Sequence, residues 1–113
     1  MEKEYILINS CNIIVDKTNH LQTVEKSVYL KNGDVNNITQ FATTVIEENT
    51  IIEKHKHATM KEIFYVEYGD VDFIVNNKVM RLSKGDLIVI KQNTFHSLRP
   101  RSKTKLVYLG VLE

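Results

Sequence analysis

Short runs of apolar residues, separated by polar turn residues, repeat along the chain. The longest run, residues 38–46, alternates with the period of two that a β-strand gives, which places Phe41, Thr43 and Val45 on one face. Residues 71–75 and 78–82 flank Asn76-Asn77, a pair typical of a two-residue hairpin turn. No stretch keeps a 3.6-residue period between helix caps, so we expect little helix.

This pattern predicts about ten short strands joined by turns. Their expected positions are residues 6–8, 12–15, 28–30, 38–46, 51–57, 62–68, 71–75, 78–82, 87–90, 95–98 and 105–112. Many short strands with regular turns favour an antiparallel sandwich or barrel of the jelly-roll type. We therefore predict an all-β chain that forms one domain over residues 1–113.

Composition narrows the classes of partner. The 113 residues are 42% hydrophobic and 26% charged, which is ordinary for a globular domain, and the formal net charge is +1. Such a balance gives no general attraction to nucleic acid or to an anionic membrane, and no apolar run is long enough to span a bilayer. The N-terminus does not resemble a signal peptide, and the single Cys11 fits a reducing compartment, so we expect a cytoplasmic location.

Three of the four histidines form one pattern with a glutamate. His55 and His57 are two residues apart, so on a strand both would project from the same face roughly 6.5 to 7 Å apart. Glu62 is expected to begin the next antiparallel strand, where a hairpin would return it beside the histidine pair, and His96 would open a later strand. Imidazole nitrogens and a carboxylate oxygen are suitable ligands for one divalent transition metal.

With two glycines added, this pattern resembles the first motif of the cupin superfamily. The match runs without a gap through His55-Lys56-His57, four further residues, Glu62, six further residues and Gly69. The second motif is matched in part, and the resemblance covers about residues 40–110. The matching positions of the second motif are Gly85-Asp86 and Asn93-Thr94-Phe95-His96, and the departures from it are Lys91, Asn93 and Pro100.

The resemblance implies a cupin jelly-roll barrel with a metal ion inside one end, often in a homodimer. The implied ligands are His55, His57, Glu62 and His96. The ion would be one of Mn, Fe, Ni, Co, Cu or Zn, since the ligand types do not choose between them. A three-His, one-Glu set leaves positions open for water, a substrate oxyanion or dioxygen.

Four further side chains are candidates for contact with a small polar or anionic metabolite. If Glu62 faces the pocket, strand parity puts Phe64, Val66 and Tyr68 on the same face, where they either line the pocket or only fill the core. Tyr108 offers a phenol as a hydrogen-bond donor. The remaining candidates are Arg81 and Arg99, whose guanidinium groups would bind an anion. The basic residues that follow His96, Arg99 among them, are also explained as an exposed, solvated loop.

The leading functional hypothesis is a small metal-dependent enzyme that acts on a sugar or a hydroxy or keto acid. The ion would polarise a carbonyl, as in isomerase, epimerase or dehydratase chemistry. The alternatives are an iron-dependent dioxygenase and a non-catalytic module that binds or senses a small ligand. An acid or base near the metal would distinguish an enzyme from a non-catalytic module. No residue can be assigned that catalytic role from the sequence.

Overall fold

The computed structural model describes residues 4–17 and 24–113, and these residues form strands for the most part. One turn of 3₁₀-helix, Ser10–Asn12, is the helical element among them, and none of their helices is long and apolar enough to cross a membrane. The strands are β1 (Ile14–Lys17), β2 (Glu25–Leu30), β3 (Ile38–Ile46), β4 (Ile52–His55), β5 (Met60–Tyr68), β6 (Asp70–Val75), β7 (Lys78–Ser83), β8 (Leu87–Ile90), β9 (His96–Pro100) and β10 (Thr104–Leu112).

The strands form two antiparallel sheets. The six-stranded sheet has the order β1-β2-β3-β10-β5-β8, and the four-stranded sheet has the order β4-β9-β6-β7. From β3 onward most strands that follow one another in sequence, such as β3 and β4 or β4 and β5, belong to different sheets, so the chain crosses repeatedly between the two layers. This arrangement confirms the prediction of an all-β, antiparallel jelly roll.

The core lies between the two sheets, and both contribute to it. Removing these apolar side chains from water is the main favourable term in folding. Buried apolar residues of the six-stranded sheet include Ile46, Phe64, Val66, Ile90 and Leu106, and those of the four-stranded sheet include Ile52, Val71, Phe73, Leu82 and Leu98.

Strand parity along β5 holds over most of its length. Glu62, Phe64 and Val66 are buried, as predicted, and Tyr65 is exposed. The prediction that Tyr68 shares their face is wrong, because the pairing between β5 and β10 slips by one residue just before it and leaves Tyr68 39% exposed. Such a bulge reverses the alternation of side chains beyond it.

The predicted hairpin turn at Asn76-Asn77 is confirmed. Both asparagines have positive φ, 48° and 68°, and they join β6 to β7 in continuous register. A two-residue turn with both central residues in this region matches the twist of the flanking strands, and asparagine tolerates it better than most residues.

The predicted strand at residues 6–8 is wrong. Within the described residues no strand pairs with this segment, and Ile6 and Leu7 are 62% and 71% exposed. A run of residues with high β-propensity forms a strand only where a neighbouring strand accepts its hydrogen bonds and a surface covers its side chains.

Two glycines at the ends of strands predict unequal responses to the same substitution. Gly69 and Gly85 both have positive φ, 95° and 90°. An added Cβ at Gly69 would overlap the Lys103 carbonyl oxygen and Thr104, whereas at Gly85 no atom lies within 4 Å. We expect Gly85→Ala to lower the free energy of unfolding by about 1–2 kcal/mol through backbone strain alone, and Gly69→Ala by more than about 3 kcal/mol. Denaturant unfolding measures both, and equal losses would contradict this account.

Candidate metal centre

Two histidines of the pattern lie in the four-stranded sheet, and the third lies just beyond the end of one of its strands, although the strand was predicted to continue to residue 57. His55 ends β4 and lies directly opposite His96, the first residue of β9, with ring centroids 4.2 Å apart. His57 follows β4, and its ring centroid is 5.1 Å from that of His55. Its carbonyl accepts a 2.7 Å hydrogen bond from the backbone N–H of Asn93, which ties the segment after β4 to the turn before β9. Strand pairing and this turn contact therefore hold the three imidazoles together.

Glu62 reaches the histidines from the opposite sheet. The expectation of a hairpin between the histidine pair and Glu62 is wrong, because β4 and β5 lie in different layers. Glu62 is 4% exposed, and its Oε1 is 2.8 Å from Nε2 of His96 and 3.3 Å from Nε2 of His57. One ligand atom from each of the four residues lies within 4.8 Å of the others. The structure thus brings all four predicted ligands to one point between the sheets.

Two backbone carbonyls set the tautomers of two rings. Nδ1 of His55 is 2.8 Å from the carbonyl oxygen of Glu53, and Nδ1 of His96 is 2.9 Å from that of Thr94. A carbonyl can only accept, so each Nδ1 must carry the proton. In the neutral rings the lone pair is then on Nε2, the nitrogen that faces the cluster. Fixing a histidine in this way is the usual role of groups that surround a metal ligand.

The contact between His96 and Glu62 brings together two atoms that are both acceptors when His96 is neutral. Nε2 of His96 and Oε1 of Glu62 are 2.8 Å apart and buried, yet among the described residues neither has a hydrogen-bond partner of suitable geometry. An uncharged imidazole lone pair facing a carboxylate oxygen is repulsive, and unpaired buried polar atoms are costly. A cation between them removes both penalties. The donor set of three imidazoles and one carboxylate therefore fits a divalent transition metal.

A proton on His96 is the competing way to place positive charge there. Burial of the His96 ring by itself lowers its pKa, but contacts with the Glu62 carboxylate and the Thr94 carbonyl outweigh burial and raise the pKa above its usual 6.5. Burial acts to raise the pKa of Glu62, yet its contact with His96 and the charges of His57 and His96 hold that pKa below its usual 4.5. Metal and proton thus compete for the same nitrogen.

The cluster borders a cavity of about 380 Å³ between the sheets. Two predicted contact residues, Phe64 and Tyr108, line it with their rings 5.2 Å apart. Burial raises the pKa of the Tyr108 phenol, and the charge of Glu62 and a hydrogen bond to it add to the effect. Tyr108 therefore stays protonated, and its hydroxyl is a donor close to the Glu62 carboxylate. Most of the wall is apolar and comprises Val24, Ala42, Ile46, Ile52, Leu98 and Leu106.

The structure does not bring the two predicted arginines to this cavity. Arg81 on β7 and Arg99 on β9 lie in register on either side of Asp72, on the outer face of the four-stranded sheet. Nε of Arg81 is 3.6 Å from Oδ1 of Asp72, and Arg101 approaches the same carboxylate at 3.5 Å. Arg81 and Arg101 thus balance a half-buried aspartate, and Arg99 is exposed beside them.

Several polar residues of the cavity were not predicted from the sequence, among them Lys26 and Gln40. Both line its wall, and Nζ of Lys26 donates to Oε1 of Gln40 at 2.8 Å. The sequence does hold a signal for Lys26. It lies two residues from each of the buried Val24 and Val28, so a strand extended back from the predicted residues 28–30 would have put all three on the inner face.

The comparison with protein families gives the class of this chain. The family model described as the cupin domain matches residues 42–112, well over half of the sequence. The chain therefore belongs to the cupin domain family, as its two motifs predicted. Comparison with curated proteins gave no significant match.

Solved structures share the fold at low sequence identity. A predicted oxalate decarboxylase from Thermotoga maritima is 21% identical with a TM-score of 0.83, over 96% of this chain and 100% of that one. KdgF from Halomonas sp. is 18% identical with a TM-score of 0.71, over 86% and 84%. The nucleoside dehydratase Pac13 is 16% identical with a TM-score of 0.74, over 95% and 82%, and Pac13 of Streptomyces was also solved with uridine. These likenesses establish the fold.

The competition between metal and proton predicts opposite pH dependences. In metal-free protein, the raised pKa of His96 gives stability that is complete below about pH 6.5 and is lost as the pH rises through the folded-state pKa. The lowered pKa of Glu62 gives stability that is present above about pH 4.5 and is lost as the pH falls through its folded-state pKa. The two contributions together make the metal-free protein most stable between about pH 4.5 and pH 6.5. With metal bound, rising pH frees the histidines for coordination and adds stability.

Thermal denaturation between pH 5 and pH 8 measures the pH dependence of stability of the metal-free protein in EDTA and of the metal-bound protein in excess Zn²⁺. From pH 6 to pH 8 we expect the midpoint to fall in EDTA and to rise with Zn²⁺. Midpoints that move in the same direction under both conditions would contradict the shared site.

Proposed function

We propose that this protein is a small metal-dependent cupin enzyme acting on a polar metabolite, by isomerase, epimerase or dehydratase chemistry. The observation that supports the proposal is the pair of buried atoms, Nε2 of His96 and Oε1 of Glu62, that lack a hydrogen-bond partner among the described residues, together with a cavity large enough for a small molecule that Glu62 lines. A site that needs a cation and also borders a substrate-sized cavity suits metal-assisted catalysis.

The ion would be held by His55, His57, Glu62 and His96, and it would supply Lewis-acid polarisation of a substrate oxygen. These four side chains are thus ligands in the proposal rather than acids or bases. The carbonyls behind His55 and His96 keep each ring in the orientation that presents Nε2. Tyr108 keeps its proton and would stabilise the charge of the Glu62 carboxylate as a donor.

The apolar wall adds to the effect of these polar groups. Phe64 packs against Tyr108 and against Phe73, with ring centroids 5.2 Å and 5.1 Å away, and so closes the cavity on the core side. Excluding water from one side of a polar site strengthens the electrostatic interactions within it. Among the proteins of the same fold, Pac13 is described as a dehydratase, which belongs to the reaction class proposed here.

A second candidate is a module that binds a small ligand without catalysis. The observation that favours it is the shortage of proton acceptors in the cavity. Among the described residues that line it, Glu62 is the one carboxylate, and it belongs to the proposed ligand set. Tyr108, with its raised pKa, is a donor and not a base.

Metal analysis of purified variants tests the proposal. We expect near-stoichiometric divalent metal in the wild type, and at least a tenfold lower content in His55→Ala and His96→Ala, because losing one of four ligands weakens the site strongly. His20→Ala is the matched control, since this histidine lies outside both motifs, and it should keep its metal. Equal metal content in all four proteins would contradict the site.

Turnover separates an enzyme from a binding module. Wild type loaded with each of Mn, Fe, Ni, Co, Cu and Zn is incubated with hydroxy acids, keto acids and sugars in D₂O, and isomerisation, exchange or water loss is followed by NMR. The enzyme proposal expects turnover that His96→Ala abolishes while the folded state is retained. Oxygen uptake that occurs only with the iron-loaded protein would instead indicate a dioxygenase. Ligand binding without turnover would indicate a non-catalytic binding module.

We further propose that the protein works as a cytoplasmic homodimer through the outer face of the six-stranded sheet. Tyr65 on β5 and its register neighbour Leu87 on β8 are 40% and 56% exposed, and Val89 beside them is 47% exposed. A cluster of exposed apolar residues on a sheet is typical of a surface that another protein covers.

Charge introduced on this face should dissociate the dimer. We expect Leu87→Glu and Val89→Glu to give monomers in light scattering after size-exclusion chromatography, because each buries a charge in the contact. Val79→Glu is the control, since Val79 is 57% exposed but lies on the four-stranded sheet. A wild type that is already monomeric would refute the dimer.

A further inference from the structure

The cavity has a second polar group besides the histidine cluster, built from Lys26 on β2 and Gln40 on β3. Lys26 faces inward between the buried Val24 and Val28, and its ammonium donates to Oε1 of Gln40 at 2.8 Å. Both side chains line the cavity. Gln40 is neutral, so it orients the ammonium without cancelling its charge, and its own amide N–H₂ provides further donors beside that charge.

This pair lies across the cavity floor from the metal cluster. Gln40 is opposite Gly110 on β10, and Gly110 is opposite Glu62 on β5, so the three residues form one row across the six-stranded sheet. At a spacing of about 4.8 Å per strand, the Cα atoms of Gln40 and Glu62 are roughly 10 Å apart. Gly110 between them has no side chain, but the space where its Cβ would lie holds Thr39 Oγ1, the Tyr108 hydroxyl and Met60 Sδ. Because Lys26, Gln40, Tyr108 and Glu62 all line the cavity, a molecule of a few carbon atoms contacts both polar groups through the cavity rather than over Gly110.

The charges around the cavity favour an anion. Lys26 and Lys56 line it, with the Lys56 ammonium 4.8 Å from the centroid of the Phe95 ring, so Lys26 is the cation that faces the cavity beside Gln40. The carboxylate that lines the cavity in the described part of the chain is Glu62, which belongs to the metal cluster. Asp16 is in register with Lys26 on the neighbouring β1, but Asp16 is exposed and lies outside the cavity lining. An ammonium on a largely apolar wall attracts an opposite charge more strongly than it would in water.

We propose that Lys26 and Gln40 bind a carboxylate at one end of the substrate, while another oxygen of the same molecule faces the metal cluster. This inference rests on the proposed function and selects, from its substrate classes, the hydroxy and keto acids over neutral sugars. Lys26 and Gln40 place a charged and a neutral donor side by side, which matches the two oxygens of a carboxylate. Lys26 is then a specificity-determining residue, and Gln40 positions it.

The experiment compares two probes that differ only at one end, glutarate and its monoamide. Isothermal titration calorimetry measures both with protein incubated with Zn²⁺. Wild type should bind glutarate about tenfold more tightly than the monoamide, the difference expected from one charge-assisted hydrogen bond. Lys26→Met and Lys26→Gln should lose this preference, and Lys26→Arg should retain it. Lys84→Met, in an exposed turn, is the matched control and should behave as wild type.

Three results would overturn the inference. They are equal affinity of wild type for the two probes, no binding of either probe, and a full preference in folded Lys26→Met and Lys26→Gln. Metal content of the same samples separates this inference from the proposed function. Protein that binds no Zn²⁺ but keeps a Lys26-dependent preference contradicts the metal proposal and supports the carboxylate site. Protein that binds Zn²⁺ but shows no preference for glutarate supports the metal proposal and contradicts the carboxylate site.

Discussion

The demand for positive charge between Glu62 and His96 is the constraint on which this site depends. The two atoms that meet, Oε1 and Nε2, are 2.8 Å apart, buried and without a suitable hydrogen bond among the described residues. They also belong to different sheets, since Glu62 is on β5 and His96 is on β9. Whatever cation occupies this point therefore joins the two layers of the barrel as well as completing the site. Its loss leaves like partial charges facing each other in a region of low dielectric.

The fold supplies this geometry through pairing and turns rather than through residues adjacent in sequence. His55 and His96 are 41 positions apart in the chain but are direct partners across β4 and β9. The backbone contact between Asn93 and His57 fixes the remaining histidine. Gly69, at the end of β5, lets the chain turn where a side chain would overlap Thr104. The ligands thus lie on paired strands or next to them, which suits a site that must be held within narrow limits.

Much of this organisation could be predicted from sequence, for identifiable reasons. Alternation and turn residues predicted most strands, because a period of two and an Asn-Asn turn are local properties. The four ligands could be found because the spacing of the cupin motifs carries over between proteins of different sequence. The strand at residues 6–8 and the inward side chain of Tyr68 were wrong, since both depend on partners that local sequence does not specify: a neighbouring strand and a bulge.

The proposed substrate contacts show the same limit. Arg81 and Arg99 were candidate anion ligands by charge, but their strands place them in register with Asp72 on the outer face. Lys26 is one cation among many in the sequence, and the extension of β2 back to Glu25 is what places it in the cavity. Which face a charged side chain takes depends on register and strand length, and a one-residue change in either reverses it.

Anomalous diffraction from crystals grown with a divalent transition metal would test the central claim most directly. The account predicts one anomalous peak between the two sheets, about 2.0–2.2 Å from ligand atoms of His55, His57, Glu62 and His96, with Nε2 of His96 as one of them. No peak at that point with any of Mn, Fe, Ni, Co, Cu and Zn, together with a well-formed hydrogen bond from Nε2 of His96 to Glu62, would contradict it. The cluster would then be a buried ion pair, and the cavity would have to act without a metal.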